Sequence, residues 1–97
     1  MAATIRDIIL NTSLMKDDAV VYARKINGKF LDYSEVMILE LTGEEQEMLT
    51  SKIAELKCPG FDYFLEAFMI KEMVNDFDTL VSAVDLQKRI EVIIHYA

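Results

Sequence analysis

Residues 61–77 read Phe61-Asp62-Tyr63-Phe64-Leu65-Glu66-Ala67-Phe68-Met69-Ile70-Lys71-Glu72-Met73-Val74-Asn75-Asp76-Phe77, and the fold turns on whether this stretch is a strand or a helix. Phe61, Phe64, Leu65, Phe68, Met69 and Met73 recur at helical spacing, so periodicity alone favours a helix. The aromatic-rich start, directly after Pro59-Gly60, equally suits a strand, because rings pack well on a pleated surface. A strand here joins the hairpin signalled upstream and makes the chain α+β. A helix leaves it mostly α with a lone β-hairpin.

Upstream of Pro59-Gly60 the pattern is helical. Thr42-Gly43-Glu44-Glu45 fits a capping box, in which the Thr42 hydroxyl accepts from the Glu45 amide and the Glu45 carboxylate reaches back. That predicts a helix to about Lys57, with Met48, Leu49, Ile53 and Leu56 as its apolar stripe and Pro-Gly as its stop. Before it, Ala19-Val20-Val21-Tyr22-Ala23 is rich in strand formers. Asn27-Gly28 is the strongest short hairpin signal, since both residues tolerate positive φ. Residues 35–41, with the apolar run Val36-Met37-Ile38-Leu39, supply the returning strand; residues 29–34 either pair or loop. A short helix over residues 4–11, capped by Thr4, turns Ile5, Ile8 and Ile9 to one side. Downstream, a helix capped at Asp78 aligns Val81, Val84, Leu86, Ile90, Ile93 and Ile94. The expected architecture is a small antiparallel sheet, a hairpin plus the third strand, covered on one face by two or three helices.

The 97 residues, 53% hydrophobic and 28% charged, suffice for one packed core and one domain spanning 1–97. No repeat, low-complexity tract or linker divides them. The net charge of −7 disfavours nucleic acid, which needs a Lys/Arg stripe to displace counterions, and disfavours an anionic membrane. Residues 1–30 hold five basic against three acidic residues, about +2; residues 31–97 hold five against fourteen, about −9. Asp32, Glu35, Glu40, Glu44, Glu45 and Glu47 fall in a stretch without Lys or Arg. Such a block can steer a basic partner, although acidic helix starts and soluble surfaces produce it for structural reasons too. Residues 1–10 lack the apolar run of a secretory signal, and no stretch approaches the roughly 18 apolar residues of a membrane span, so a cytoplasmic protein is expected. The single cysteine, Cys58, excludes an internal disulfide and fits a reducing compartment.

Reactive groups are sparse. The three glycines are scattered, so no phosphate-cradling loop exists and no cofactor is expected. Cys58 and His95 form a nucleophile–base pair only if the fold joins them and adds an orienting group. Packing of Cys58 and a helix-end position for His95 account for both more simply. The carboxylates at Asp17/Asp18 and at Glu44/Glu45/Glu47 lack calcium-loop spacing. Glu66 stands out because it interrupts apolar neighbours and must find a partner, with Lys71 or a backbone amide the simplest. The methionines on apolar stripes, Met37, Met48, Met69 and Met73, read as core filling. Tyr22, Tyr33, Tyr63 and Tyr96 are the interface anchors if exposed. An enzyme is not expected.

Four segments carry a resemblance: Asp18-Ala19-Val20-Val21-Tyr22-Ala23-Arg24-Lys25; Ser34-Glu35; Phe61-Asp62-Tyr63-Phe64-Leu65-Glu66 running into Ile70-Lys71-Glu72; and Ile94-His95-Tyr96-Ala97. The chain resembles a group of small uncharacterised bacterial domains with the pattern "DAVIYAKK … SEA … YFLEVFIAKEVLE … IYYA", some associated with immunity genes beside toxins. The likeness spans nearly the whole chain, but its motifs have no known chemical role. It implies a strand over residues 61–69, entered through the glycine that ends the preceding helix. Ala67, where a β-branched residue is usual, departs from the pattern, and the polar tail expected after the last element is missing. The resemblance and the charge asymmetry together imply a protein-binding module of the immunity-inhibitor kind, its acidic residues covering a basic site on another protein, such as a basic toxin. A structural homodimer is the alternative.

Overall fold

The computed structural model describes residues 3–79 and 85–97. Strand β1 (Ala19–Ala23) is the centre of a three-stranded antiparallel sheet, with β2 (Val36–Glu40) on one side and β3 (Asp62–Glu66) on the other. The fold is therefore α+β. All five residues of β1 are buried, and the reason is visible in how its side chains divide. Ala19, Val21 and Ala23 enter one apolar cluster, while Val20 and Tyr22 enter a second. A strand covered on both faces has no polar face to display, which is why this segment lacks alternation.

Helices accordingly lie on both faces of the sheet, not on one as the sequence suggests. The larger cluster joins the sheet to α1 (Ile5–Leu10), α4 (Ala67–Thr79) and α5 (Leu86–Tyr96) through Ile5, Ile8, Ile70, Ile90 and Ile93. The smaller joins it to α3 (Thr50–Lys57) through Ile53 and Ala54, with Cys58 and Phe61 beside them. Each fully buried side chain of this size contributes roughly 1.5–3 kcal/mol of transfer free energy.

Residues 61–77 are strand first and helix after. β3 ends at Glu66 and α4 begins at Ala67, so the strand implied over 61–69 loses its last three residues to the helix. Val21 pairs with Leu65 and Tyr22 with Tyr63, so Phe64 is the extra residue of a β-bulge. In a regular strand Tyr63 and Leu65 share a face. The bulge separates them, so Leu65 and Phe64 both enter the larger core while Tyr63 meets the Tyr22 ring edge-on at 5.9 Å. The helix-like spacing of Phe61, Phe64 and Leu65 thus comes from a two-faced strand with one residue inserted.

The Asn27-Gly28 turn forms, with φ of 53° and 79°, and Ile26 and Lys29 exchange backbone hydrogen bonds of 2.8 and 3.1 Å. Pairing lapses there, and residues 30–34 loop back beside α1 before it resumes with the Arg24 amide donating to the Glu35 carbonyl at 2.9 Å. The loop carbonyls of Ser34 and Asp32 accept from the Ile5 and Arg6 amides at 3.0 and 2.9 Å, satisfying the first donors of that helix. Thr4 completes the start as a capping box with Asp7.

The helix expected from Thr42 to Lys57 is two helices. Thr42 and Glu45 form the capping box, but α2 (Gly43–Gln46) is one turn long, and Leu49 is the extended N-cap of α3. Twelve residues of continuous helix would set Glu45 and Lys57 about 18 Å apart. The break at 47–49 folds α2 back so that they form an ion pair. It also turns Leu49 and Leu56 outward, 76% and 64% exposed, leaving Ile53 as the buried member of the expected stripe. Pro59 and Gly60 close α3, with Gly60 at φ 89°. Asp78 lies inside α4 and does not cap the last helix; Asp85 does, accepting from the Lys88 amide at 2.8 Å. Val81 and Val84 fall outside the described residues.

Candidate functional site

The residues that start β1, end β2 and end β3 meet at one end of the sheet. Antiparallel pairing sets Ala19 opposite Glu40 and Val20 opposite Glu66, so Asp17, Asp18, Leu41 and Glu66 are gathered there by register alone. The folded-back α2 and the start of α3 close the other side. The result is a cleft of about 350 Å³ with apolar walls from Val20, Leu41, Met48, Ile53 and Phe68. Asp17, Asp18, Glu45 and Glu66 stand among them, with Tyr22, Tyr63, Gln46 and Thr50. This combination of apolar wall and placed polar groups is the usual make-up of a binding pocket.

Its electrostatics divide the carboxylates into two kinds. Asp17 accepts from Lys71 Nζ at 2.7 Å, Glu40 nearby pairs with Lys16 at 3.0 Å, and Glu45 pairs with Lys57. The Lys57 ammonium, and after it the Thr42 amide, hold the Glu45 carboxyl below its ordinary value. The hydrogen bond from Lys16 to Glu40 raises the Lys16 pKa in turn. Asp18 and Glu66 have no ion pair or side-chain hydrogen bond among the described residues. The Lys71 expected for Glu66 has gone to Asp17. Burial, and then the Glu66 charge, raise the pKa of Tyr63; burial does the same to Tyr22, whose hydroxyl donates to the Thr50 carbonyl at 3.1 Å.

The six carboxylates singled out in the sequence do not form one surface. Asp32 and Glu35 precede β2, and Asp32 faces Arg6 at 3.8 Å. Glu40, Glu44, Glu45 and Glu47 follow at the far end of that strand, about 14 Å away along its axis. Glu45 alone of the six lines the cleft. Sequence reasoning missed Asp18 as a cleft residue because its role depends on strand register, although its place directly before β1 is the signal. Glu66 it did mark, from the charge among apolar neighbours.

Other candidates separate. Cys58, the C-cap of α3, is buried in the smaller cluster, where burial raises its thiol pKa. His95 lines a second, more open concavity of about 360 Å³ with Phe30, Asp32 and Glu91, against α5 on the other side of the sheet. The two are not brought together as a dyad. Among the described residues no group of three or more His, Cys, Asp or Glu side chains is placed to hold a metal ion, and no helix is long and apolar enough to cross a membrane. Comparison of the chain with protein-family models, curated proteins and solved structures finds no match.

Proposed function

We propose that the chain is a cytoplasmic protein-binding module, of the immunity-inhibitor kind implied by the resemblance, that receives basic side chains of its partner in the acidic cleft at the start of β1. The observation that carries this reading is the state of Asp18 and Glu66. Among the described residues Asp17, Glu40 and Glu45 each pair with a lysine, whereas Asp18 and Glu66 make no ion pair, Asp18 interacting with Lys16 only at longer range. A Lys or Arg entering between them meets two negative charges beside apolar walls that take up its methylene stem. At 4 Å and an effective dielectric near 20, each such pairing is worth up to about 4 kcal/mol before desolvation is subtracted. The negative field raises the encounter rate with a basic protein and repels nucleic acid.

Affinity capture from host cells tests this. A basic protein retained by the wild type and by Asp32→Lys/Glu35→Lys, and lost with Asp18→Lys/Glu66→Gln, is the expected pattern. Equal retention by all three baits, or retention of nothing by the wild type, defeats the reading.

A further inference from the structure

The opposite end of β1 carries the complementary charge. Residues 24–29 hold Arg24, Lys25 and Lys29 and no carboxylate. The tight turn at Asn27-Gly28 fixes their spacing, and two of the cations rest on rings: the Arg24 guanidinium lies 4.7 Å from the centre of Phe61, and the Lys25 ammonium 5.2 Å from that of Phe30. These contacts hold the side chains in place without neutralising them. None of the three cations has an ion pair among the described residues. Among the described residues the chain therefore presents a basic tip without ion pairs beyond Ala23 and, before Ala19, an acidic cleft in which Asp18 and Glu66 have none. β1 alone separates them by about 13 Å, with the protruding turn beyond it, so the tip cannot reach the cleft of its own molecule.

We propose that the hairpin tip docks into the cleft of a second copy, Lys25 or Lys29 meeting Asp18 and Glu66, to give a head-to-tail assembly. This rests on the cleft being a receptor for basic side chains, and names the chain itself as one occupant that any other partner displaces. The surfaces joined are different on the two copies, so the contact is heterologous and leaves a free tip at one end and a free cleft at the other. The net charge of −7 does not forbid it, because screening confines repulsion to about 8 Å at physiological salt, within which tip and cleft have opposite signs.

Sedimentation of the full chain, with circular dichroism to confirm folding, tests the proposal. The wild type should exceed monomer mass at high concentration, with apparent affinity falling about tenfold or more from 0.02 to 0.5 M NaCl as screening tightens. Lys25→Glu/Lys29→Glu lacks the tip and Asp18→Asn/Glu66→Gln, whose neutral cleft attracts neither tip, lacks the receptor, so each alone should be monomeric. An equimolar mixture should give dimers and nothing larger, since one intact tip meets one intact cleft. Monomers in the mixture, or self-association by either variant alone, overturn the head-to-tail contact. A wild type that is monomeric throughout also overturns it. The cleft as a receptor for other proteins is judged separately by the capture experiment.

Discussion

Tyr22→Phe is the change that most cleanly tests how the sheet holds α3 and hence one wall of the cleft. Tyr22 is fully buried in the central strand, its ring edge-on to Tyr63 and its hydroxyl on the Thr50 carbonyl in the first turn of α3. Removing the oxygen alone keeps the ring packing, so the loss is one largely shielded hydrogen bond, about 0.5–1.5 kcal/mol. Tyr22→Ala removes the ring as well and should cost about 3–5 kcal/mol, a large part of the 5–15 kcal/mol that holds a typical domain folded. The sequence has no Trp, so urea unfolding is followed by far-ultraviolet circular dichroism. With a slope of about 1–3 kcal/mol per molar, Tyr22→Phe should lower the midpoint by roughly 0.5 M. Alkaline pH supplies a second readout. Burial raises the folded pKa of Tyr22 above its ordinary 10.0, so the unfolded chain ionises first. The associated stability is complete below pH 10 and is lost as pH rises through the folded value. The phenylalanine variant should therefore lose less stability above pH 10 than the wild type, with the Tyr63 contribution still present. A Tyr22→Phe midpoint unchanged at neutral pH, together with an identical alkaline slope, would refute the placement of this hydroxyl.

Gly60→Ala meets no steric obstacle, its new methyl lying 3.8 Å from an Arg24 nitrogen, yet φ is 89°. Backbone strain of about 1–2 kcal/mol, partly offset by reduced unfolded-state freedom, should leave a net loss near 1 kcal/mol by urea titration. Thr42→Ala should destabilise by about 1 kcal/mol through the lost cap. The Glu45 carboxyl is held below its ordinary 4.5 by Lys57, so its stabilising effect is present above that pH and lost as pH falls through the folded value. Glu45→Gln should therefore flatten the acid limb of an unfolding curve measured between pH 5 and 3.

The elements that were legible in the sequence are those governed by neighbouring residues. Thr42 and Glu45 signal their capping box, Asn27 and Gly28 their turn, and residues 19–23 their strand, because each depends on backbone chemistry within a few positions. What escaped depends on distant contacts. The bulge at Phe64 has no local signature, and it is what made β3 imitate a helix. The break at 47–49 brings Glu45 to Lys57, a contact that helical periodicity does not encode. Met15, fully buried beyond the first helix, lies on no apolar stripe that a window reveals. The cleft was half legible: Glu66 stood out by its charge, while Asp18 joined it only when antiparallel register set both at one end of β1. The acidic stretch over residues 32–47 misled as a surface, because β2 carries its two halves to opposite ends of the sheet.

The most direct test of the cleft is a titration of the isotope-labelled full chain with the blocked peptide Gly-Lys-Phe-Lys-Gly, followed by amide chemical shifts. Saturable, salt-sensitive shifts at Asp18, Val20, Glu66 and Phe68, absent with Glu in place of the peptide's two lysines, are predicted. No saturable shift at those positions, or the same shifts with the glutamate peptide, would contradict the reading of this cleft as a receptor for basic side chains.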